Sequence, residues 1–181
     1  MTITPDTKNW TWVLERPCPE CGFAAGDIAR DEVPALLRAN AEGWRRYFAE
    51  AGTETVRTRT EPTKWSPLEY ACHVRDCNKL YTYRIELMLE QDDPQYPDWD
   101  QDATAVEAEY GKQDPDTVVA EVADTTEIIA ALLASITDEQ GRRTGHRGDG
   151  SDFTIDTLAR YFVHDPIHHL WDVTGQRYES A

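Results

Sequence analysis

The sequence predicts an all-α protein, a four-helix bundle preceded by an irregular N-terminal segment. Three observations carry that expectation. Four long segments repeat apolar residues at three- and four-residue steps, the spacing of one helical face. Gly and Pro fall between those segments, where the chain must turn. The length of 181 residues suits one domain with a single core.

Residues 1–29 read as an irregular extension packed on the bundle, with Trp10, Trp12, Val13, Leu14 and Phe23 as apolar anchors, and residues 30–181 as the bundle domain. The first helix opens at Asp31 and carries Val33, Leu36, Leu37, Asn40, Trp44, Tyr47 and Phe48 up to Gly52. The run 53–63 is too polar for a core helix and reads as a connector. Ser66-Pro67-Leu68-Glu69 then forms a capping box with Pro at the first helical position, in which the Ser oxygen and the Glu carboxylate satisfy orphaned amides. That second helix runs to about Glu90. A loop and a short helical piece around Ala103–Tyr110 lead to the third helix, capped by Asp114 or Asp116, with Val118, Val122, Ile129 and Leu133 on its apolar face. Residues 137–152 read as a loop rich in Gly, Arg and Asp. Thr154 to Thr174 is the fourth helix, stopped by Gly175.

Composition excludes several classes. Eighteen Lys and Arg stand against thirty-four Asp and Glu, a net charge of −16 that repels polyanionic nucleic acid. No apolar run approaches the roughly 18 residues of a membrane span, and the N-terminus lacks the basic-then-apolar form of a signal peptide. Four Cys in such a chain fit a reducing cytoplasm. The acidity is local: residues 91–140 hold fourteen acids and one base (Lys112), so −13 of the −16 lies there. Such a run is usually a solvated face; an acidic gate or cation funnel is the sharper alternative.

Five histidines occur, and two stand out. His164 and His168 lie at i and i+4, so on a helix they share a face one turn apart and make a ready bidentate claw. His73, on the capped second helix, is the candidate third ligand; hydrogen-bonded core histidines are the plain alternative. His169 lies about 100° round from His168 and reads as a packing or supporting residue. Pro166 sits between the two ligands inside the helix, where it frees the Phe162 carbonyl and favours a bend.

The run Trp65-Ser66-Pro67-Leu68-Glu69-Tyr70-Ala71-Cys72-His73-Val74-Arg75-Asp76 resembles the second-helix signature W-S-x-x-E-x-x-x-H-x-x-D of DinB-like proteins. His164-Asp165-Pro166-Ile167-His168-His169 resembles their fourth-helix H-x-x-x-H, and the resemblance spans about residues 30–175. It implies a four-helix bundle, often dimeric, with His73, His164 and His168 binding a divalent metal at one end. It also implies a small-molecule substrate and, as in several relatives, a low-molecular-weight thiol cofactor such as mycothiol or bacillithiol. Three neutral imidazoles leave a cation its charge and open positions, the arrangement of catalytic sites, and suit Zn, Ni, Fe or Cu. Asp76, one turn beyond His73, can accept the His73 ring N–H or orient a bound water as a catalytic group; an exposed helix charge is its alternative role.

Two further groups complete the candidates. Arg142, Arg143 and Arg147 lie in the loop before the fourth helix and can receive the carboxylates of a thiol cofactor or acidic substrate. Cys18-Pro19-Glu20-Cys21-Gly22 looks like half of a zinc knuckle. A tight turn with two packed thiols, a mixed-ligand zinc site and redox chemistry are its three readings. The functional expectation is a cytoplasmic metal-dependent thiol transferase or isomerase acting on an electrophilic small molecule. A non-catalytic metal-binding stress protein and a metal-assisted hydrolase are the alternatives.

Overall fold

A computed structural model describes Ile3 and residues 9–179. Residues 1, 2 and 4–8 of the expected extension lie outside the described residues. Four long helices form the bundle: α1 (Val33–Ala51), α3 (Pro67–Glu90), α5 (Pro115–Ser135) and α7 (Ile155–Thr174). Three short ones join them: α2 (Thr53–Arg57), α4 (Gln101–Glu107) and α6 (Asp138–Gly141). α5 and α7 each pack on both α1 and α3, so the consecutive long helices α1 and α3 occupy a diagonal.

The ends of these helices follow the expected chemistry. Ser66 Oγ accepts from the Glu69 amide at 3.3 Å, and Glu69 Oε2 accepts from the Ser66 amide at 2.8 Å. The same carboxylate is buried and bound by Arg59, whose Nε donates at 2.8 Å. Arg59 and the Ser66 amide outweigh burial and hold Glu69 below the usual carboxylate range. Asp114 caps α5 through the Thr117 amide. Thr154 caps α7, which ends at Gly175 in the left-handed region (φ +69°).

Two expected connectors are more ordered than their polarity indicates. The 53–63 run contains α2, which buries Val56, its one apolar side chain. The 137–152 loop contains α6 and the strand β2 (Thr144–Arg147), and leads into the strand β3 (Asp152–Thr154). They join β1 (Gln95–Tyr96) in a small sheet of order β1-β2-β3, with β1 parallel and β3 antiparallel to β2. Burial of Tyr96, Gly145, Arg147 and Phe153 against the bundle explains why so polar a segment is regular. The fold remains all-α in its framework.

The core has two clusters. One, centred on Leu37, Ile85, Ile129, Leu133 and Phe162, also takes in Val13, Cys18, Cys21 and Phe23 from the N-terminal segment. The other gathers Trp44, Leu68, Val74, Tyr110 and Val122. The N-terminal segment is thus packed on the bundle, chiefly on α7, through a 3-10 turn at Trp10–Leu14.

Candidate metal centre

The donor-bearing part of α7 reads His164-Asp165-Pro166-Ile167-His168-His169. Positions 164 and 168 share one face; 165 and 169 share the next, about 100° round the helix. The structure gives these two faces different neighbours.

The first face meets the N-terminal segment. Cys18, Cys21, His164 and His168 are all buried, and one donor atom of each lies within 4.8 Å of the others. Cys18 Sγ is 3.6 Å from His168 Nδ1. Trp10 covers both rings, at 5.3 Å from His164 and 5.1 Å from His168 between centroids. Burial, with His168 adding to it, pushes His164 down to about 4, and burial likewise lowers His168. Both rings are therefore neutral near pH 7.

The second face meets α3. His73 is fully buried, stacked on Trp99 at 5.1 Å and tilted against Trp65 at 5.1 Å. Its Nε2 faces both oxygens of Asp165, at 3.2 and 3.4 Å. His169 Nε2 approaches the same carboxylate at 3.7 Å, and its ring stands perpendicular to His73 at 4.8 Å. Cys77 completes a group with His73 and Asp165. Burial opposes the charge on Asp165, but the His73 and His169 rings outweigh it and hold the carboxyl well below its usual range.

The three histidines expected at one cation thus divide between two clusters: His164 and His168 join the cysteines, and His73 joins Asp165 and His169. The physical reason is the rotation of α7. The face it turns to α3 carries 165 and 169, one residue on from the histidine pair that the spacing singles out. Asp165 and His169 repeat that same i, i+4 spacing, a signal available in the sequence once carboxylates are counted as donors.

Asp76 lies elsewhere. It pairs with Arg75 through two contacts of 2.9 Å, accepts from the Tyr110 hydroxyl at 2.7 Å and from Lys79 at 3.2 Å. The carboxylate on His73 is Asp165 instead; Asp76 is held by Arg75, Lys79 and the Tyr110 hydroxyl. Among the three arginines, Arg142 is exposed and Arg143 donates to the Met88 and Gln91 carbonyls. Arg147 is buried, paired with Asp149 at 2.8 Å and bonded to the Tyr161 hydroxyl at 3.1 Å.

Arg147 also lines a cleft of about 1220 Å³. Asp165, His164, His168 and His169 stand along its wall, with Trp10, Trp65, Trp99 and Tyr161 as apolar surface and Arg84 beside Arg147. Asp98, Asp100, Asp102 and Glu107 form an acidic lip, so part of the acidic segment does border the site.

A model of the DinB superfamily matches residues 29–173. The chain belongs to the DinB superfamily. The fold of this DinB-superfamily chain is similar to that of YfiT from Bacillus subtilis, described as a probable metal-dependent hydrolase with an unusual four-helix bundle topology. The TM-score is 0.64 over 96% of this chain and 91% of YfiT, at 21% sequence identity. Among curated proteins no sequence matches. No described helix of this DinB-superfamily member is long and apolar enough to cross a membrane.

Proposed function

We propose that this chain is a metal-dependent enzyme for small molecules, holding a divalent cation with His73, Asp165 and His169 at the wall of the cleft. The observation that carries the reading is the convergence of His73 Nε2 and His169 Nε2 on one carboxylate. The donors suit a cation: His73 and Asp165, with Cys77, bring donor atoms within 4.8 Å of one another, His169 Nε2 stands 3.7 Å from the same carboxylate, and Asp165 and His169 border the cleft. The His73 ring is clamped between Trp65 and Trp99, so it meets a cation without losing further freedom. A cation there favours the anionic form of a thiol or of water near neutral pH.

The chain's own residues do the rest. The aromatic wall excludes water from one side of the site, and Arg84 and Arg147 line the cleft, with Arg147 paired to Asp149. The cleft is larger than the roughly 300–1,000 Å³ of a usual single-ligand site. That size supports a low-molecular-weight thiol, of the mycothiol or bacillithiol type, bound together with an electrophilic substrate. On this reading the enzyme is a cytoplasmic thiol S-transferase or isomerase, with detoxification of electrophiles as its use. Hydrolysis is the second reading, favoured by the description of YfiT.

The test is elemental analysis of the purified protein followed by a screen with an electrophile and mycothiol, bacillithiol or glutathione. Thiol consumption that stops in His73→Ala supports the transferase. Turnover without any thiol supports the hydrolase. A His73→Ala, His169→Ala chain that keeps its full metal content overturns the site assignment.

A further inference from the structure

The Cys18–Cys21 turn and the His164/His168 face belong to no part of the proposed reaction, yet all four donors are buried. Each of the four is less than 5% exposed except His168, at 7%. We propose that Cys18, Cys21, His164 and His168 form a second, structural metal site, a Cys2His2 zinc centre that fastens the N-terminal segment to α7.

The spacing of the donors admits one tetrahedral ion. All four donor atoms lie within 4.8 Å of one another. With Zn–S near 2.3 Å and Zn–N near 2.0–2.1 Å, the sulfur-to-nitrogen edge of a tetrahedron is about 3.6 Å. The separation between Cys18 Sγ and His168 Nδ1 is 3.6 Å. The turn is shaped for it: the Gly22 amide donates to the Cys18 carbonyl at 2.9 Å, and Gly22 takes φ +82°, which a side chain would strain. The Cys18 amide donates to the Phe23 carbonyl at 2.9 Å and closes the turn.

Two further observations point to a ligand. His164 Nε2 is sealed from solvent and has no hydrogen-bond partner among the described residues, a state that costs free energy unless something binds it. His168 Nε2, the nitrogen away from Cys18, lies 3.8 Å from both Glu20 and Asp172. A carboxylate behind a ligating imidazole orients the ring and raises its basicity. A plain pair of packed thiols needs none of this. Loading the site releases the two thiol protons and involves no change of oxidation state.

The need for such a fastening follows from the fold. The described part of the N-terminal segment has only 3-10 turns before α1, and Trp10 within it covers both histidines and borders the cleft. A metal here fixes that tryptophan in place.

The inference stands apart from the cleft cation, and one experiment separates them. The full chain is stripped with a chelator, reloaded with Co²⁺, and its absorption recorded. Sulfur-to-metal charge-transfer bands in the near ultraviolet, with the intense visible bands of tetrahedral cobalt, are expected in the wild type and in His73→Ala. They are expected to vanish in Cys18→Ser, Cys21→Ser and in His164→Ala. Zinc per chain falls by one in these variants, and reloading protects Cys18 and Cys21 from a thiol reagent in the wild type and in His73→Ala but not in His164→Ala. Charge-transfer bands absent from the folded, cobalt-loaded wild type overturn the proposal, as does full zinc retention in a folded cysteine variant. Loss of metal in His73→Ala alone, with no thiolate bands in any chain, leaves only the cleft site.

Discussion

Asp76→Ala tests whether a carboxylate one turn from His73 serves the reaction or the scaffold. Asp76 makes a two-point pair with Arg75 and accepts from Tyr110 and Lys79, and its side chain is 18% exposed. Arg75 is nearly buried, but its Nη1 also donates to Glu121 and Gln113 at 2.7 Å each, so truncation of Asp76 leaves that guanidinium partly satisfied. The Tyr110 hydroxyl loses its acceptor, at about 1–3 kcal/mol, and the charged bonds to Arg75 contribute a similar amount. Allowing for the remaining partners, the expected loss is about 2–4 kcal/mol. For a chain of this size that lowers Tm by roughly 4–16 °C. Urea denaturation should show a lower midpoint at unchanged slope, with metal content unaffected. The pH dependence has a definite sign. Burial opposes the Asp76 charge, but Arg75 and Tyr110 prevail and lower its pKa. The stabilisation is therefore present above the unfolded value near 3.8 and is lost as pH falls through the depressed folded value. The gap between the two proteins should close in acid. An unchanged Tm, or loss of the cleft metal in Asp76→Ala, would refute the reasoning.

Ser66→Ala removes the acceptor for the Glu69 amide and should cost about 1 kcal/mol, read as a fall in Tm of roughly 2–4 °C; no fall would mean that Arg59 and Glu69 alone hold the helix end. His146 bridges Asp93 at 2.8 Å and Asp152 at 2.6 Å, and these carboxylates raise its pKa above the 6.5 of an ordinary histidine. Its contribution is complete below 6.5 and fades as pH rises through the folded value. An NMR titration should find the raised value and its fall in Asp93→Asn; a midpoint at or below 6.5 in the wild type would contradict the pairing.

The framework was legible because local and long-range signals agree. Ser66, Asp114 and Thr154 cap the helices that the apolar spacing delimits, and Gly175 ends the last one. The small sheet has no signature in the sequence because its strands are two to four residues long and owe their order to burial of Tyr96, Arg147 and Phe153. The site was half legible. Spacing places His164 and His168 on one helical face and His73 on another helix, but it carries no information on how far α7 is rotated. That rotation decides whether the face toward α3 shows 164 and 168 or 165 and 169. Likewise, nothing local to Cys18 and Cys21 indicates that their partners lie about 145 residues further on, by sequence number. Tertiary packing alone supplies that contact.

Both donor faces depend on one short stretch of α7, and Asn40 is what holds it against α1. Pro166 has no N–H, so the Phe162 carbonyl loses its helical partner, and the helix is locally less constrained. At the same level Asn40, buried at 6% exposure, donates its side-chain amide to the Pro166 carbonyl at 2.8 Å. Asn40→Ala removes one buried hydrogen bond and leaves a small void, an expected loss of about 1–2 kcal/mol. Because residues 164 and 165 precede Pro166 while 168 and 169 follow it, a change at this point alters the aim of both pairs together. Metal affinity at the two sites should therefore weaken in parallel, measured by competition with a chelator for zinc and by the cobalt spectrum. Weakening at one site alone would mean that each pair is held by its own partners, the cysteines on one side and the clamped His73 on the other, and that the helix between them is not a shared support.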